Sequence, residues 1–437
     1  MRRRGIAMGG RGPHALSAGA ARLLAALLLA LSCTPRAAAQ TMAEREETAR
    51  RMFREGEYRA VVDTFARVSP DSLAARTLVD LGSAQALLGD HQGAIRSLRA
   101  AAEREPERIA YRYQLGRTMA EAGLQAGAAL EFEKILTRDS SHVPALTQLG
   151  RLRFEDRRYR EASSLFLRAL RLNPRDFLGN YYLGWTYHNL GELDSAALFL
   201  AVSQTLNPSF VPSAALLAGI RFRQERYAEA LRLYRHATVQ QPGNPDLWMR
   251  LGLCYQKVEN PLEARLCHER ACALDSTNAI AWAYLGQALY DLKLYDSAAV
   301  AFERGVELDD SNPALLLNLG LALAKRGSPR EAVAALQMAV EAYGPGEIAR
   351  AHREIGAVYF LEKDYARADA AYRRALQYNG ADPVARFYLA VSLDQRKEYK
   401  AALTQYRKYL TVSRDDPARA RNEKSAKERI AYLKTLP

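Results

Sequence analysis

Residues 177–210 read FLGNYYLGWTYHNLGELDSAALFLAVSQTLNPSF, and this stretch decides the fold. It divides into two short amphipathic segments with a tight break between them. Leu183, Gly184 and Tyr187 mark the first segment, Gly191 breaks it, and Ala196 and Leu200 mark the second. Pro208 then ends the unit, because proline cannot continue a helix. Shifted by 34 residues in either direction, the pattern fits again.

The small residue at the centre of the first segment recurs as Gly82, Gly116, Gly150, Gly184, Ala218, Gly252, Gly286, Gly320, Gly356 and Ala390. Every step is 34 residues except the 36 between Gly320 and Gly356. The second segment keeps the same beat in Ala94, Ala128, Ala162, Ala196, Ala230, Ala264, Ala298, Ala332, Ala368 and Ala402. Two helix backbones that cross closely require small residues at the crossing. Leu or Ile precedes nearly every ladder glycine, and Phe, Tyr or Leu usually stands four residues after the alanine, so each helix has one apolar face. Pro106, Pro174, Pro208 and Pro242 stop the second helices.

A fixed period of this length with these positions resembles the tetratricopeptide repeat family across residues 42–416. Trp248 and Trp282 stand where that family carries an early tryptophan. The resemblance implies an all-α fold, a right-handed superhelical solenoid of about eleven helix–turn–helix repeats. The first copy, around Phe53 to Pro70, keeps Gly56, Tyr58 and Phe65, carries Val61 at the alanine step and ends early. Residues 343–348 (YGPGEI) hold the two-residue insertion and are expected to form a slight hinge. Residues 418–435 read as one further helix, the cap that an open solenoid end requires. The domain reading is a leader at 1–39, the repeat array at 40–416 and the capping helix at 417–437.

The leader differs from the rest. Arg2, Arg3, Arg4, Arg11 and Arg22 precede or flank an apolar run from Leu23 to Leu31, and no acid occurs before Glu44. With Ala37-Ala38-Ala39 next to Gln40, this describes a secretory signal peptide cleaved after Ala39. The run is too short to span a bilayer. Three other readings stay open: Leu31-Ser32-Cys33 as a lipid-attachment site tethering the chain through Cys33, Arg3-Arg4 as a twin-arginine signal, and an organellar transit peptide. The expected location is outside the cytoplasm, periplasmic or outer-membrane-associated in a bacterium, or secreted.

The 49% hydrophobic and 25% charged composition fits a folded chain of 437 residues. Six arginines and no lysine or acid fall in residues 1–39, so the formal charge of +13 becomes +7 for the remainder. Blocks such as RFEDRRYRE (153–161) and RNEKSAKER (421–429) interleave acids with bases and describe solvated helix faces rather than a nucleic-acid surface. The histidines are scattered, no nucleophile motif accompanies them, and every glycine has a repeat explanation. The chain therefore reads as a non-enzyme without cofactor, metal, nucleic-acid or small-molecule substrate.

In the family, first-helix positions 2, 5, 6, 9, 12 and 13 face a concave groove. Here those positions hold Tyr113, Arg117, Arg151, Phe154, Tyr181, Tyr182, Trp185, His188, Phe222, Met249, Arg250, Leu253, Tyr284 and Tyr290, followed by Leu317, Asn318, Leu321, Phe360, Phe387 and Tyr388. Aromatic and arginine side chains dominate protein-binding hot spots. The cluster Tyr181, Tyr182, Trp185 and His188 is denser than one helix needs for its core. The expected partner is a protein or peptide lying on aromatic side chains, since no three successive repeats carry the Lys, Asn and Arg of the family's carboxylate clamp at the groove positions. Cys254, Cys267, His268 and Cys272 share one repeat. His268 and Cys272 lie on one helix face, yet no Cys-x-x-Cys pair is present and buried packing is the expected role, against one disulfide or a metal.

Overall fold

A computed structural model describes residues 41–343, 345–413 and 420–435. The leader, with Cys33 and the junction at Gln40, lies outside the described residues. Among the described residues all regular structure is helical. The described residues divide into two compact units, one ending at Pro174 and one beginning at Arg175.

The first unit holds α1 (Met42–Glu55), α2 (Tyr58–Phe65), α3 (Ala75–Leu87), α4 (His91–Arg104), α5 (Ile109–Glu121), α6 (Gln125–Arg138), α7 (Val143–Glu155) and α8 (Tyr159–Leu172). The second begins with α9 (Phe177–Asn189), α10 (Leu193–Leu206), α11 (Val211–Arg223), α12 (Tyr227–Gln240), α13 (Pro245–Lys257), α14 (Pro261–Leu274), α15 (Ala279–Asp291) and α16 (Tyr295–Leu308). It continues through α17 (Pro313–Arg326), α18 (Pro329–Ala342), α19 (Pro345–Leu361), α20 (Tyr365–Tyr378), α21 (Pro383–Gln395), α22 (Tyr399–Val412) and α23 (Ala420–Leu433). Among the described residues these make eleven hairpins and one closing helix, as the ladders require. Within each unit an odd-numbered helix packs on its even-numbered partner, and that partner packs on the next odd-numbered helix.

Local chemistry sets the boundaries. The second helices α4, α8, α10 and α12 end two residues before Pro106, Pro174, Pro208 and Pro242. Many first helices open on a capping side chain: Asp176, Asn244, Asn278, Asn312 and Asp382 each accept a backbone N–H of the first turn. Between the two helices of every hairpin one residue takes a left-handed backbone. Glycine does so at five hairpins, such as Gly191 at φ 82°, but Arg157, Glu225, Glu259, Lys293, Lys363 and Lys397 do so at the other six. The tight turn is thus a requirement of the packing rather than of glycine. Helix α19 runs to 17 residues, where most first helices have 13, so residues 345–348 of the insertion segment lie within a longer helix.

The core is a row of knobs. The side chain four residues after each second-helix alanine presses onto the ladder position of its own hairpin. A methyl placed on Gly116, Gly150 or Gly286 would come within 2.9, 2.8 and 2.6 Å of the rings of Phe132, Phe166 and Phe302, closer than side chains approach. Those three rings are wholly buried. In the first repeat Val61 stands at the alanine step and is fully buried. At the other end α23 covers the last hairpin with Ala426 and Leu433, and Arg429 grips the buried Asp394 carboxylate through Nη2 at 2.8 Å. The Tyr406 hydroxyl donates to the same carboxylate at 3.3 Å.

One knob departs in chemistry. His268 fills the place held elsewhere by phenylalanine, 2.4 Å from where a methyl on Gly252 would lie, and stacks on Tyr284 with ring centroids 5.5 Å apart. It is fully buried, and neither ring nitrogen meets a hydrogen-bonding partner among the described residues. Cys254, Cys267 and Cys272 are buried around the same hairpin as free thiols, each pushed up to about 12 by burial. The expected packing role of this quartet is what the structure shows.

Burial drives the His268 imidazolium pKa down from 6.5 to about 4. Below pH 6.5 the unfolded chain therefore gains a proton that the folded chain refuses, and stability falls with pH until about 4. The loss approaches roughly 3 kcal/mol at full effect. His268→Phe is expected to remove this acid-dependent loss and to raise stability at pH 8 as well. Urea unfolding of both proteins between pH 8 and 4.5 checks it; parallel stability profiles for the two would refute the assignment.

Candidate functional site

In the second unit, the first helices of three successive hairpins open a cavity of about 600 Å³. Helix α9 contributes Tyr181, Trp185 and His188, α11 contributes Gly219, Phe222 and Arg223, α12 contributes Tyr234, and α13 contributes Arg250 and Leu253. The apolar helix face that buries Leu183 and Gly184 against α10 leaves Tyr181, Trp185 and His188 half-buried on the other side. Tyr181 packs edge-on against Phe210 at 5.1 Å and lies 5.6 Å from Trp185. Tyr182 stacks on Trp185 at 6.4 Å, supporting the indole without lining the cavity. Burial raises the Tyr181 phenol to about 12, so it stays a neutral hydrogen-bonding group.

Gly219 has a particular effect. It follows the ladder residue Ala218, and a methyl on it would meet only the Tyr234 hydroxyl, at 3.4 Å. Packing does not exclude a side chain there. Its absence deepens the cavity and exposes the hydroxyl end of Tyr234, the buried knob of that hairpin. The Tyr234 phenol is raised by burial, with the adjacent Arg250 charge partly offsetting the rise. On the Arg223 side, one guanidinium nitrogen sits 2.9 Å from His188 Nε2 and 3.0 Å from Nδ1. Partial burial and the Arg223 charge both lower the His188 pKa, which keeps the imidazole neutral.

Six of the sequence-selected residues thus converge here: Tyr181, Trp185, His188, Phe222, Arg250 and Leu253. The others are placed differently. Phe154, Phe222, Tyr290 and Phe360 each lie edge-on to a tyrosine five residues later (Tyr159, Tyr227, Tyr295 and Tyr365) at 5.2–5.6 Å, bracketing the left-handed turn residue. These rings clamp hairpin turns, and only Phe222 also lines the cavity. Tyr113 packs on Phe132 at 5.8 Å and His142 at 5.7 Å, while Tyr284 covers His268 and Met249 packs against buried core side chains. Arg117 and Arg151 pair with Glu121 and Glu155 one turn on, at 3.2 and 3.7 Å. Asn318 and Leu321 are half-buried, and Tyr388 stacks over Tyr372 at 6.1 Å. Leu317 and Phe387 are corrections: at 3% and 8% exposure they belong to the core, because their side chains turn into the neighbouring helices.

Sequence reasoning missed Gly219, Arg223 and Tyr234. Arg223 occupies position 13 of its repeat, one of the groove positions, so its signal was available. Gly219 stands at position 9, likewise a groove position, but has no side chain to signal a site, and Tyr234 stands at a knob position that reads as scaffold. Among the described residues no three His, Cys, Asp or Glu side chains come together as a metal site, and no helix is long and apolar enough to cross a membrane.

Comparison with known proteins gives consistent results. A tetratricopeptide repeat model matches residues 58–143, 147–209, 255–313, 317–383 and 363–420, and a second tetratricopeptide model matches 211–254. The mouse protein O-mannosyl-transferase TMTC3 is 25% identical over 177 residues, which is 37% of this chain and 19% of that protein. The peroxisomal targeting signal receptor of Candida albicans is 25% identical over 231 residues, covering 50% of this chain and 39% of the receptor. The chain therefore spans a fifth to two fifths of the length of these relatives. Among solved structures, the C-terminal part of a repeat protein from Cytophaga hutchinsonii aligns over 56% of this chain and 99% of its own, at 20% identity and a TM-score of 0.48.

If Gly219 is a residue of the cavity and not of the packing, Gly219→Ala will stabilise the chain by roughly 0.5–1 kcal/mol through helix propensity. The same change at Gly286 will destabilise it, since the Phe302 ring has no room to yield. Urea midpoints for the two variants decide; a loss of stability at both positions would show that Gly219 is an ordinary crossing glycine.

Proposed function

Since the chain belongs to the tetratricopeptide repeat family, we propose that it is a non-catalytic scaffold that binds a protein or peptide partner on the first-helix face around Trp185, after export from the cytoplasm. The observation that carries this reading is the cavity itself. Three successive hairpins bring Tyr181, Trp185, Phe222 and Arg250 to one concave place. Aromatic and arginine anchors in a desolvated recess are the usual centres of binding energy. A stiff array that holds them ready loses little entropy on association.

No chemistry competes with this. The one neutral histidine at the site, His188, faces Arg223 and has no nucleophile beside it. The cavity thiols and carboxylates that hydrolysis or transfer would need are missing from its lining.

Replacing Trp185 and Tyr182 together by alanine is expected to weaken partner binding at least about tenfold, given that central aromatic anchors carry about 2 kcal/mol or more. Helicity by circular dichroism should not change, because neither ring is a knob. Unchanged affinity in a titration with the native partner would place binding elsewhere on the array.

Export is the second part of the reading and rests on residues 1–39. After expression in the native host, the intact mass of the mature protein is expected to start at Gln40. A mass starting at Cys33 with acyl chains would replace the free scaffold by a lipid-anchored subunit of an envelope assembly or export machine. A mass that includes Met1 would remove export altogether.

A further inference from the structure

Four of the arginines at groove positions on the first helices are of two kinds. Arg117 and Arg151 are each neutralised by a glutamate one turn later. Arg223 and Arg250 are exposed at the cavity, and among the described residues neither comes within ion-pair distance of a carboxylate. One turn on from them stand Tyr227 and Cys254, which cannot pair.

Of the neighbouring acids, Asp246 stands one turn before Arg250 without coming within ion-pair distance of it, and two others are already engaged. Glu229 receives both Arg221, at 3.3 Å, and Arg226. Asp194 accepts from Gln224 Nε2 at 2.9 Å. Helices α9 and α11, which form most of the wall, contain no aspartate or glutamate at all. The cavity therefore combines an aromatic and aliphatic wall with two uncompensated positive charges. A neutral His188 and the Tyr234 hydroxyl lie beside those charges and can donate or accept a further hydrogen bond.

Resting on the scaffold reading above, we propose that this cavity is a recognition pocket for an acidic hydrophobic peptide: a bulky apolar side chain enters over Gly219 between Trp185 and Phe222, and a carboxylate within two residues of it is held by Arg223 and Arg250. A volume of about 600 Å³ lies inside the roughly 300–1,000 Å³ range of pockets that bury a compact ligand. It accommodates one large side chain with its acidic neighbour. Arginine suits the second task because its planar fork offers paired N–H donors to a carboxylate. A basic peptide would be repelled by the same two charges, so the pocket selects by sign as well as by shape.

The test uses the full mature chain. A random dodecapeptide library displayed on phage is panned against it, and recovered peptides are made with a fluorescent label and titrated by anisotropy. Two variants separate the claims. Gly219→Phe fills the cavity from a helical position where packing leaves room, and Arg223→Gln with Arg250→Gln removes the charges from exposed side chains; circular dichroism confirms that both fold. The expected peptides carry Leu, Met, Phe, Tyr or Trp within two residues of Asp or Glu, and they lose binding on Gly219→Phe. Changing their acid to its amide should cost at least about tenfold in affinity with the wild-type chain and almost nothing with the double glutamine variant, as one charge-assisted hydrogen-bond pair implies. Rising salt should weaken them as well.

Peptides that Gly219→Phe blocks but that show no acid preference would overturn the charge assignment and leave the scaffold reading standing. Peptides that ignore Gly219→Phe, or a library that yields no binder sensitive to it, would overturn the pocket and with it the placing of the binding surface around Trp185.

Discussion

Everything in this chain depends on one contact, the side chain of a second helix seated on a bare backbone position of the first. Gly150 beneath Phe166 and Gly356 beneath Tyr372 leave no space for even a methyl group. The close crossing fixes the angle and depth of the hairpin. That in turn fixes which residues of the first helix point into the neighbouring hairpin and which point away. The residues that line the cavity are therefore positioned by packing on the opposite side of their own helix. A repeat array has no single core to enforce such order, so each hairpin must enforce it locally and hand it to the next.

The knob varies while the contact persists. Leucine fills it under Gly82, Gly184 and Gly320, an aromatic ring under Gly116, Gly150, Gly286 and Gly356, and His268 under Gly252. Tyr234 and Tyr406 serve the two hairpins whose ladder residue is alanine, and in both cases the hydroxyl is put to use. Tyr406 donates to Asp394, the carboxylate that anchors the closing helix. Tyr234 brings its hydroxyl to the cavity. A position that looks purely structural in the repeat thus acquires a polar role where the surroundings offer one.

This explains how far the sequence could be read. The eleven hairpins, their ends at proline and the closing helix were legible because each rests on a local, repeated cause: a small residue at a crossing, a capping side chain, a missing backbone donor. The aromatic cluster on α9 was legible by its density. What escaped were distinctions between identical-looking positions. Phe154 and Phe222 occupy the same place in their repeats and clamp the same kind of turn, yet only Phe222 borders a cavity. Leu317 and Phe387 stand at the repeat position from which Tyr181 lines the cavity but are drawn into the core by their neighbours. The contrast between Arg117 and Arg223 could have been seen, since it turns on whether a glutamate follows four residues later.

Gly219 separates two properties that most protein sites bind together. The cavity is shaped by a side chain that is not there, at a position where the nearest obstacle is a single hydroxyl 3.4 Å away. Residues of different size can be installed at that position without disturbing a crossing, a cap or a turn. If the proposed peptide binds here, such a site is free to wander along a lineage: partner preference would be narrowed, broadened or abolished one substitution at a time while the scaffold remains intact. The array would then keep its architecture through changes of partner, and divergence at this one helical position would record those changes more faithfully than divergence of the chain as a whole.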